Sequence, residues 1–138
     1  MKSIITLMMI LFASHAQAAD VAIARGVFHG GNYAPSDTAS GGATLVKLSD
    51  GAYVLRLGDD FSTTPGPDLF VYLSASPDPQ DGAAITDNDF INAGKLVSPE
   101  GGQMLALPKD FDPAKFKSIA IWCKSFSVLF GAAALSSP

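Results

Sequence analysis

Residues 42–57 read GATLVKLSDGAYVLRL, and this stretch decides the fold class. A period of two runs through 42–48 and 52–57, with Thr44, Val46 and Leu48 on one face of the first strand and Tyr53, Leu55 and Leu57 on one face of the second. Asp50-Gly51 between them is a strong short-range signal for a tight antiparallel turn. The stretch therefore predicts a β-hairpin.

Apolar runs beyond this hairpin predict further strands. Residues 68–73 (DLFVYL) are apolar on both faces, which is typical of a central strand covered on each side. The rigid turn at 65–67 (PGP) precedes them and sets the start of the strand. Residues 92–97 and 102–107 flank Glu100-Gly101 and predict a second hairpin.

The C-terminal third adds one helical turn and two strands. Asp112-Pro113 predicts a single turn of helix over 113–116, since proline is favoured at the first helical position. Strands are predicted over 117–123 (KSIAIWC) and 126–130 (FSVLF), whereas 74–90 is the one long irregular segment. About eight strands at this spacing predict an all-β protein, a single antiparallel β-sandwich or barrel.

The first 18 residues predict a cleaved secretory signal peptide. Lys2 gives a positive start, residues 4–13 are apolar except for Thr6, and residues 16–18 (AQA) form a small-residue cleavage site before Ala19. The apolar run is shorter than the about 20 residues of a spanning helix, so no membrane span is expected after cleavage. The sequence therefore predicts a periplasmic or secreted protein whose residues 19–138 form one domain.

Charge and scarce residue types exclude several function classes. The chain carries 13 acidic and nine basic residues, a net charge of −4. An acidic domain with scattered lysines lacks the electrostatic footprint of a nucleic-acid binder. One cysteine rules out an intrachain disulfide and a structural zinc site of the usual types, and the sequence has no G-x-S-x-G or phosphate-binding loop. These exclusions favour a protein that is not an enzyme, and no metal site is predicted.

Several segments, taken in order, are similar to one extracellular module, the DM-thirteen domain, a family labelled electron transfer. The family occurs in bacterial exported proteins and in animal extracellular proteins beside DOMON domains. The resemblance implies a small β-rich domain built around a characteristic cysteine, here Cys123, with a redox role as a bare thiol or through a prosthetic group such as haem. Many members carry a histidine shortly before a Ser-Gly pair; Asp37-Thr38 stands there in this chain, which weakens a haem or metal interpretation. The matching segments are GVF (26–28), TASGGATLV (38–46), DGAYVLRLGDDF (50–61), GPDLFVYLS (66–74) and KSIAIWCKSFSVLFGAAAL (117–135).

Cys123 is the main candidate for chemistry, and two interpretations of it stay open. Ile119, Ile121 and Cys123 share one face of their predicted strand, so the thiol is a buried small hydrophobe if that face points inward. An unpaired cysteine in an oxidising compartment instead suggests a reactive thiol or a disulfide-linked dimer. The neighbouring Lys124 favours the thiolate if the strand end is open.

His29 follows the first predicted strand in FHGGN and is interpreted either as a solvated loop residue or as a haem or metal ligand paired with Cys123. The three aromatic residues Tyr33, Tyr53 and Trp122 are candidates for a ligand face, although large aromatics in a small β domain usually belong to the core.

Aspartates are abundant, and most are expected in turns. Asp87-x-Asp89-x-x-Asn92-x-Gly94 fails as an EF-hand, because Ile91 and Ser98 stand where oxygen ligands are required, which leaves only a looser calcium site open. The pairs Asp59-Asp60 and Asp110-x-Asp112 resemble catalytic carboxylates only in composition. Asp68, directly after the PGP turn, is expected to bond nearby backbone amides.

These observations leave three functional hypotheses. The first is an exported domain that exchanges electrons with an unidentified redox partner through Cys123. The second is a non-catalytic binding or adhesion module in which Cys123 only fills the core. The third is a haem-binding domain with His29 and Cys123 as ligands. Accessibility of the thiol discriminates the first from the second.

Overall fold

The computed structural model describes residues 18–31 and 38–138, so the predicted signal peptide lies outside the described residues except for Ala18. The described chain is all-β, as predicted, with two antiparallel sheets and a small two-stranded ribbon. The strands are β1 (Val21–Val27), β2 (His29–Gly30), β3 (Ala39–Ser40), β4 (Gly42–Lys47), β5 (Tyr53–Leu57), β6 (Ser62–Thr63), β7 (Leu69–Ser74), β8 (Phe90–Lys95), β9 (Gln103–Ala106), β10 (Ser118–Cys123) and β11 (Val128–Ala134). The strand number exceeds the predicted eight because β2, β3 and β6 are each two residues long, too short to show alternation.

Sheet A has the order β1-β4-β5-β9 and contains the predicted first hairpin. Leu45 lies opposite Leu55 in the β4-β5 register, and Gly51 in the turn has a φ of 89°, a left-handed conformation that glycine tolerates. Leu45 and Leu55 are fully buried against the other sheet. The opposite face of sheet A exposes Arg56 but also buries Val46 and Val54, so sheet A is only partly amphipathic.

Sheet B has the order β2-β11-β10-β7-β8, so the predicted central strand β7 lies inside it. Its inner face packs against sheet A in one hydrophobic cluster that includes Val71, Ile119 and Ile121. Its outer face forms a second cluster, in which Trp122 packs with Ile85. Because both faces are covered, every residue of β10 is buried.

The segment at 74–90 contains a helix that the sequence did not reveal. Helix α1 spans Gly82–Thr86, and Asp81 caps it by accepting a hydrogen bond from the Ala84 amide at 3.0 Å. Five residues are too few to display a 3.6-residue period, so the pattern could not predict it. The buried Ile85 attaches the helix to the outer face of sheet B. No helix of the described ranges is long and apolar enough to cross a membrane.

The second predicted hairpin is wrong. Strand β8 pairs with β7 in sheet B, whereas β9 pairs with β5 in sheet A, so the chain between them crosses from one sheet to the other. The Gln103 side chain fixes this crossing: its Oε1 accepts from the Val97 amide at 3.0 Å and its Nε2 donates to the Ser98 carbonyl at 2.9 Å. Alternation predicted both strands but carries no information about their neighbours.

The C-terminal predictions are confirmed. A 3-10 turn spans Pro113–Lys115, and Asp112 caps it by accepting a hydrogen bond from the Ala114 amide at 3.0 Å. Strands β10 and β11 then pair as an antiparallel hairpin, with β11 starting at Val128 rather than at 126. This hairpin places the only cysteine at the end of its first strand.

Candidate functional site

Cys123 is the last residue of β10 and lies in the interior between the two sheets. In the register it faces Leu69 of β7 on one side and Val128 of β11 on the other. Its side chain is 0% exposed and belongs to the same cluster as Ile119 and Ile121, as expected if the isoleucine face points inward. The thiol is therefore closed off from solvent in this conformation.

A β-bulge distorts the hairpin just before Cys123. The register between β10 and β11 shifts between Ile121, which faces Gly131, and Trp122, which faces Leu129. Phe130 is the extra residue on β11, and its ring joins the same interior cluster as Cys123. Bulges bend a strand and disrupt its ladder, so regular pairing is already interrupted beside the thiol.

The end of β10 is closed by the exposed turn at 124–127. The Lys124 amide donates to the Asp68 carbonyl at 3.0 Å, and the Ser125 hydroxyl donates to the Asp68 carboxylate at 2.6 Å. Asp68 therefore bonds a hydroxyl with its side chain, rather than the backbone amides that the sequence predicted. Ser127 adopts a φ of 52°, a left-handed conformation that is uncommon outside glycine. The turn is held by few contacts, and one of its residues has an uncommon backbone conformation.

The Lys124 ammonium group points away from the thiol, so it does not favour the thiolate in this conformation. Its Nζ lies 5.3 Å from the centroid of the Phe70 ring, and Phe70 packs against the outer cluster of sheet B. The ammonium group and Cys123 therefore lie on opposite faces of the sheet. Alternation explains this, because consecutive residues of a strand point to opposite faces.

A small cleft of about 100 Å³ lies at the same end of the sandwich. Leu69 lines this cleft and is also the register partner of Cys123. At Gly66 a side-chain carbon would meet both Leu69 and Phe130 at 3.0 Å, so the PGP turn packs closely against two residues of the cluster around the thiol. The other residues lining the cleft are Pro65, Pro67, Lys95, Leu96 and Pro99.

His29 lies on the outer side of sheet B, in β2 rather than in a loop. It faces Ala132 of β11, a member of the outer cluster. Its Nε2 lies 2.7 Å from the Asp78 carboxylate and its Nδ1 lies 2.8 Å from the Gly30 carbonyl. Both partners are acceptors, so this arrangement fits an imidazolium that donates through both nitrogens. The interpretation as a solvated loop histidine is wrong.

The electrostatics of His29 agree with that geometry. Partial burial lowers its pKa, but the hydrogen bond to Gly30 and the interactions with the Asp78 carboxylate outweigh burial, and the net result is a pKa raised above its usual 6.5. No pattern in the sequence indicated this partner, because Asp78 is 49 residues away. Both ring nitrogens of His29 therefore already form hydrogen bonds within the protein.

A haem held between Cys123 and His29 does not fit this arrangement. The two side chains lie on opposite faces of sheet B, Cys123 in the inner cluster and His29 beside the outer one. A haem with both as axial ligands would have to pass through a hydrogen-bonded sheet. Within the described ranges, no group of three or more His, Cys, Asp or Glu residues is placed to hold a metal ion.

Some of the aspartates and asparagines in turns bond the backbone. Asp50 accepts from the Ala52 amide at 2.9 Å, and Asp60 accepts from the Gly42 amide at 3.0 Å. Asp87 forms the C-terminal cap of α1, and Asn92 accepts from the Gly94 amide at 2.9 Å. These hydrogen bonds are the ones expected of aspartate and asparagine in turns and at helix ends.

The predicted aromatic ligand face does not form. Tyr53 packs edge-on against Phe111, with ring centroids 5.4 Å apart, whereas Trp122 lies in the outer cluster of sheet B and is only 4% exposed. Tyr33 lies outside the described residues. Tyr72, which the sequence analysis did not single out, packs beside Trp122; burial raises its pKa, and the Asp68 charge adds to that shift.

Comparison with known proteins defines the class of protein. The family described as Electron transfer DM13 matches residues 32–135, which is most of the chain. The matched range includes the first hairpin and the three inner strands of sheet B, β7, β10 and β11, and therefore Cys123. The chain belongs to this family, as the resemblance of its segments predicted. Searches of the curated proteins and of the solved structures give no match.

Proposed function

We propose that the protein is exported and that Cys123 carries its redox role, by thiol–disulfide exchange with a disulfide-bearing partner. The observation that supports this proposal best is the position of the only cysteine in an electron-transfer family. Cys123 ends β10, next to the exposed turn at 124–127. A thiol at the middle of the strand would not lie next to an exposed turn whose movement could expose it to a partner.

The exchange step balances with one cysteine and one partner disulfide. The Cys123 thiol loses its proton to water, and its sulfur attacks one sulfur of the partner disulfide. A new disulfide joins the two proteins, the partner's own disulfide breaks, and the released sulfur takes up a proton from water. The sequence has one cysteine, so a thiol of another molecule must resolve the mixed disulfide. When the Cys123 thiolate of a second copy attacks the Cys123 sulfur, the mixed disulfide breaks, a Cys123–Cys123 disulfide joins the two copies, and the partner leaves with both of its sulfurs reduced to thiols.

Burial makes this reaction dependent on local opening. The thiol is 0% exposed, so the turn at 124–127 has to move away before a partner sulfur can reach it. Local openings of this kind cost less than global unfolding where few contacts hold a segment. Two side-chain contacts tie the turn to β7 and the residue before it, the Ser125 bond to Asp68 and the Lys124 ammonium over the Phe70 ring, so we expect loss of the Ser125 bond to make opening easier.

Labelling of Cys123 under native conditions tests the proposal. We expect slow but measurable reaction with an aromatic disulfide reagent, and a rate about tenfold higher in Ser125→Ala, because losing a hydrogen bond to a charged group costs about 1.5 kcal/mol. Ser136→Ala is the matched control, since Ser136 is also an exposed serine but bonds the Arg25 carbonyl instead. Equal rates in the wild type and Ser125→Ala, both matching the global unfolding rate, would contradict the proposal.

A second candidate function, a non-catalytic binding module, is favoured by the complete burial of Cys123. In that case the thiol only fills space beside Ile119 and Ile121, which is a common fate of free cysteine. Cys123→Ala would then leave the activity of the exported protein in its native cell unchanged, whereas the redox proposal requires its loss.

Export is tested by the N-terminus. Protein recovered from the envelope or medium of the producing cell is expected to begin at Ala19 by mass spectrometry. A chain that keeps Met1 in the cytosol would contradict the oxidising compartment on which the exchange depends.

A further inference from the structure

The outer face of sheet A carries a transverse row of four side chains from four strands. Arg25 of β1 faces Thr44 of β4, Thr44 faces Arg56 of β5, and Arg56 faces Met104 of β9. Arg25 and Arg56 are the only arginines of the sequence, and both are exposed. With one strand between them, their backbones are about 10 Å apart.

Both arginines lack an acidic partner in the described part of the chain. Neither forms an ion pair with a described carboxylate, although the protein carries 13 acidic residues. Arg56 only approaches the Met104 sulfur, with Nη2 and Sδ 4.0 Å apart. Two unpaired guanidinium groups side by side in an acidic protein leave a local positive region that an acidic ligand complements.

A groove runs beside this row. Two cavities of about 450 and about 430 Å³ share Gly58, the first next to Arg56 and the second next to Arg25. Glycines leave the floor without side chains, and at Gly42 the nearest atom to an added carbon is 3.8 Å away, so the position is open. Val27 and Met104 are 74% and 57% exposed at the two ends. The groove therefore has apolar ends, and between them lie the two guanidinium groups and the Asp60 carboxylate, which is next to Gly58.

We propose that this groove binds an extended acidic segment of a partner protein, with one carboxylate on each arginine. Guanidinium and carboxylate groups pair through two parallel hydrogen bonds, which makes arginine suited to this recognition. A segment in the extended polyproline II conformation rises about 3.1 Å per residue with three residues per turn, so carboxylates three residues apart lie on one side of it, about 9 Å apart, and match the spacing of the two arginines. The apolar ends accommodate apolar residues on either side of the acidic pair. This inference is independent of Cys123.

Two described carboxylates, those of Asp59 and Asp60, lie at this groove. Asp59 lines the cavity beside Arg56 and repels a carboxylate placed at that end, whereas Asp60 lies beside Gly58 and accepts from the Gly42 amide at 3.0 Å. We therefore expect Asp59→Asn to tighten binding, whereas loss of either arginine weakens it. Opposite changes from residues in the same groove are difficult to explain by misfolding.

Fluorescence anisotropy of the full protein with a labelled peptide tests the proposal. The probe is a six-residue peptide with two glutamates three positions apart between flanking leucines, and its glutamine counterpart is the control. We expect the glutamate peptide to bind and the glutamine peptide to bind at least about tenfold more weakly, with a loss of about tenfold in Arg25→Gln and in Arg56→Gln. Lys109→Gln, which removes one positive charge at another exposed position, is expected to leave binding unchanged.

Three results would overturn the proposal. The first is equal binding of the glutamate and glutamine peptides, and the second is the same loss in Lys109→Gln as in the arginine variants, which would indicate nonspecific charge attraction. The third is displacement of the peptide by glutarate at equal concentration, which would make the groove a site for small dicarboxylates rather than for a protein segment.

Discussion

The two sheets are built from similar strands but bury different numbers of faces. In sheet B all six residues of β10 are buried, because the inner face packs against sheet A and the outer face is covered by α1. In sheet A the strand β5 buries Leu55 and Leu57 but exposes Arg56. The covering segment at 75–89 accounts for the difference, since no described element covers the arginine row of sheet A.

This difference separates two kinds of site in one small protein. Sheet B keeps the Cys123 thiol in the interior, so the chemistry proposed for it depends on opening a turn. Sheet A keeps Arg25 and Arg56 at the surface, so the binding proposed there needs no opening. Stability and labelling experiments therefore report on sheet B, whereas equilibrium titrations report on sheet A.

The largest expected effect is the loss of a large side chain from sheet B. Ile121→Ala is expected to lower the free energy of unfolding by about 2–5 kcal/mol, because Ile121 is 0% exposed between two packed layers. Met104→Ala on the open face of sheet A is expected to stay within about 0.5 kcal/mol. Urea denaturation measures both. Equal losses would show that sheet A is covered in solution.

The next effect concerns the cysteine itself. Cys123→Ser places a hydroxyl in the interior cluster, and burying a hydroxyl without a partner costs about 1–3 kcal/mol. Cys123→Ala adds no polar group, and we expect it to be less destabilising than the serine variant. A serine variant as stable as the wild type in thermal denaturation would mean that the site at 123 is open to water.

A smaller effect is expected from the helix that covers sheet B. Asp81→Ala removes the N-cap of α1 and is expected to cost about 1 kcal/mol. Because α1 lies against the outer cluster, the emission of Trp122, the only tryptophan, should shift to the red as the helix loosens. Asp110→Ala is the matched control in an exposed turn at a distance from α1. Unchanged emission in Asp81→Ala would argue against α1 as the cover of sheet B.

Sequence patterns predicted the parts of the fold that depend on local chemistry. Asp50-Gly51 determined the first hairpin, and the apolar residues at 68–73 predicted an inner strand, because turns and alternation are encoded over a few residues. The second hairpin failed, because pairing of β8 and β9 with different sheets is decided by long-range packing. The five residues of α1 were too short for any periodic signal.

The candidate site was predicted only at the level of single residues. The inward face shared by Ile119, Ile121 and Cys123 followed from alternation, and the structure confirms it. The opposite face of Lys124 followed from alternation as well. The position of His29 relative to the thiol did not, because it depends on the pairing of β2 with β11 and on Asp78, a distant partner. The arginine row was missed because Arg25 and Arg56 are adjacent only through the register of three strands.

The smallest expected effect is a pH dependence at the edge of sheet B. The pKa of His29 is raised in the folded state, so the charged imidazolium stabilises the protein most fully below about pH 6.5, the usual value in an unfolded chain. That contribution is lost as the pH rises through the higher folded-state pKa. Both side chains are partly exposed, so the total is expected to be about 0.5 kcal/mol or less. Asp78→Asn should lower the pKa of His29 measured by NMR titration and reduce this dependence, whereas Asp59→Asn, in the groove of sheet A, should not. An unchanged His29 pKa in Asp78→Asn would show that the Gly30 carbonyl alone holds the imidazolium. It would also show that His29 and Asp78 do not form an ion pair between β2 and the segment covering sheet B.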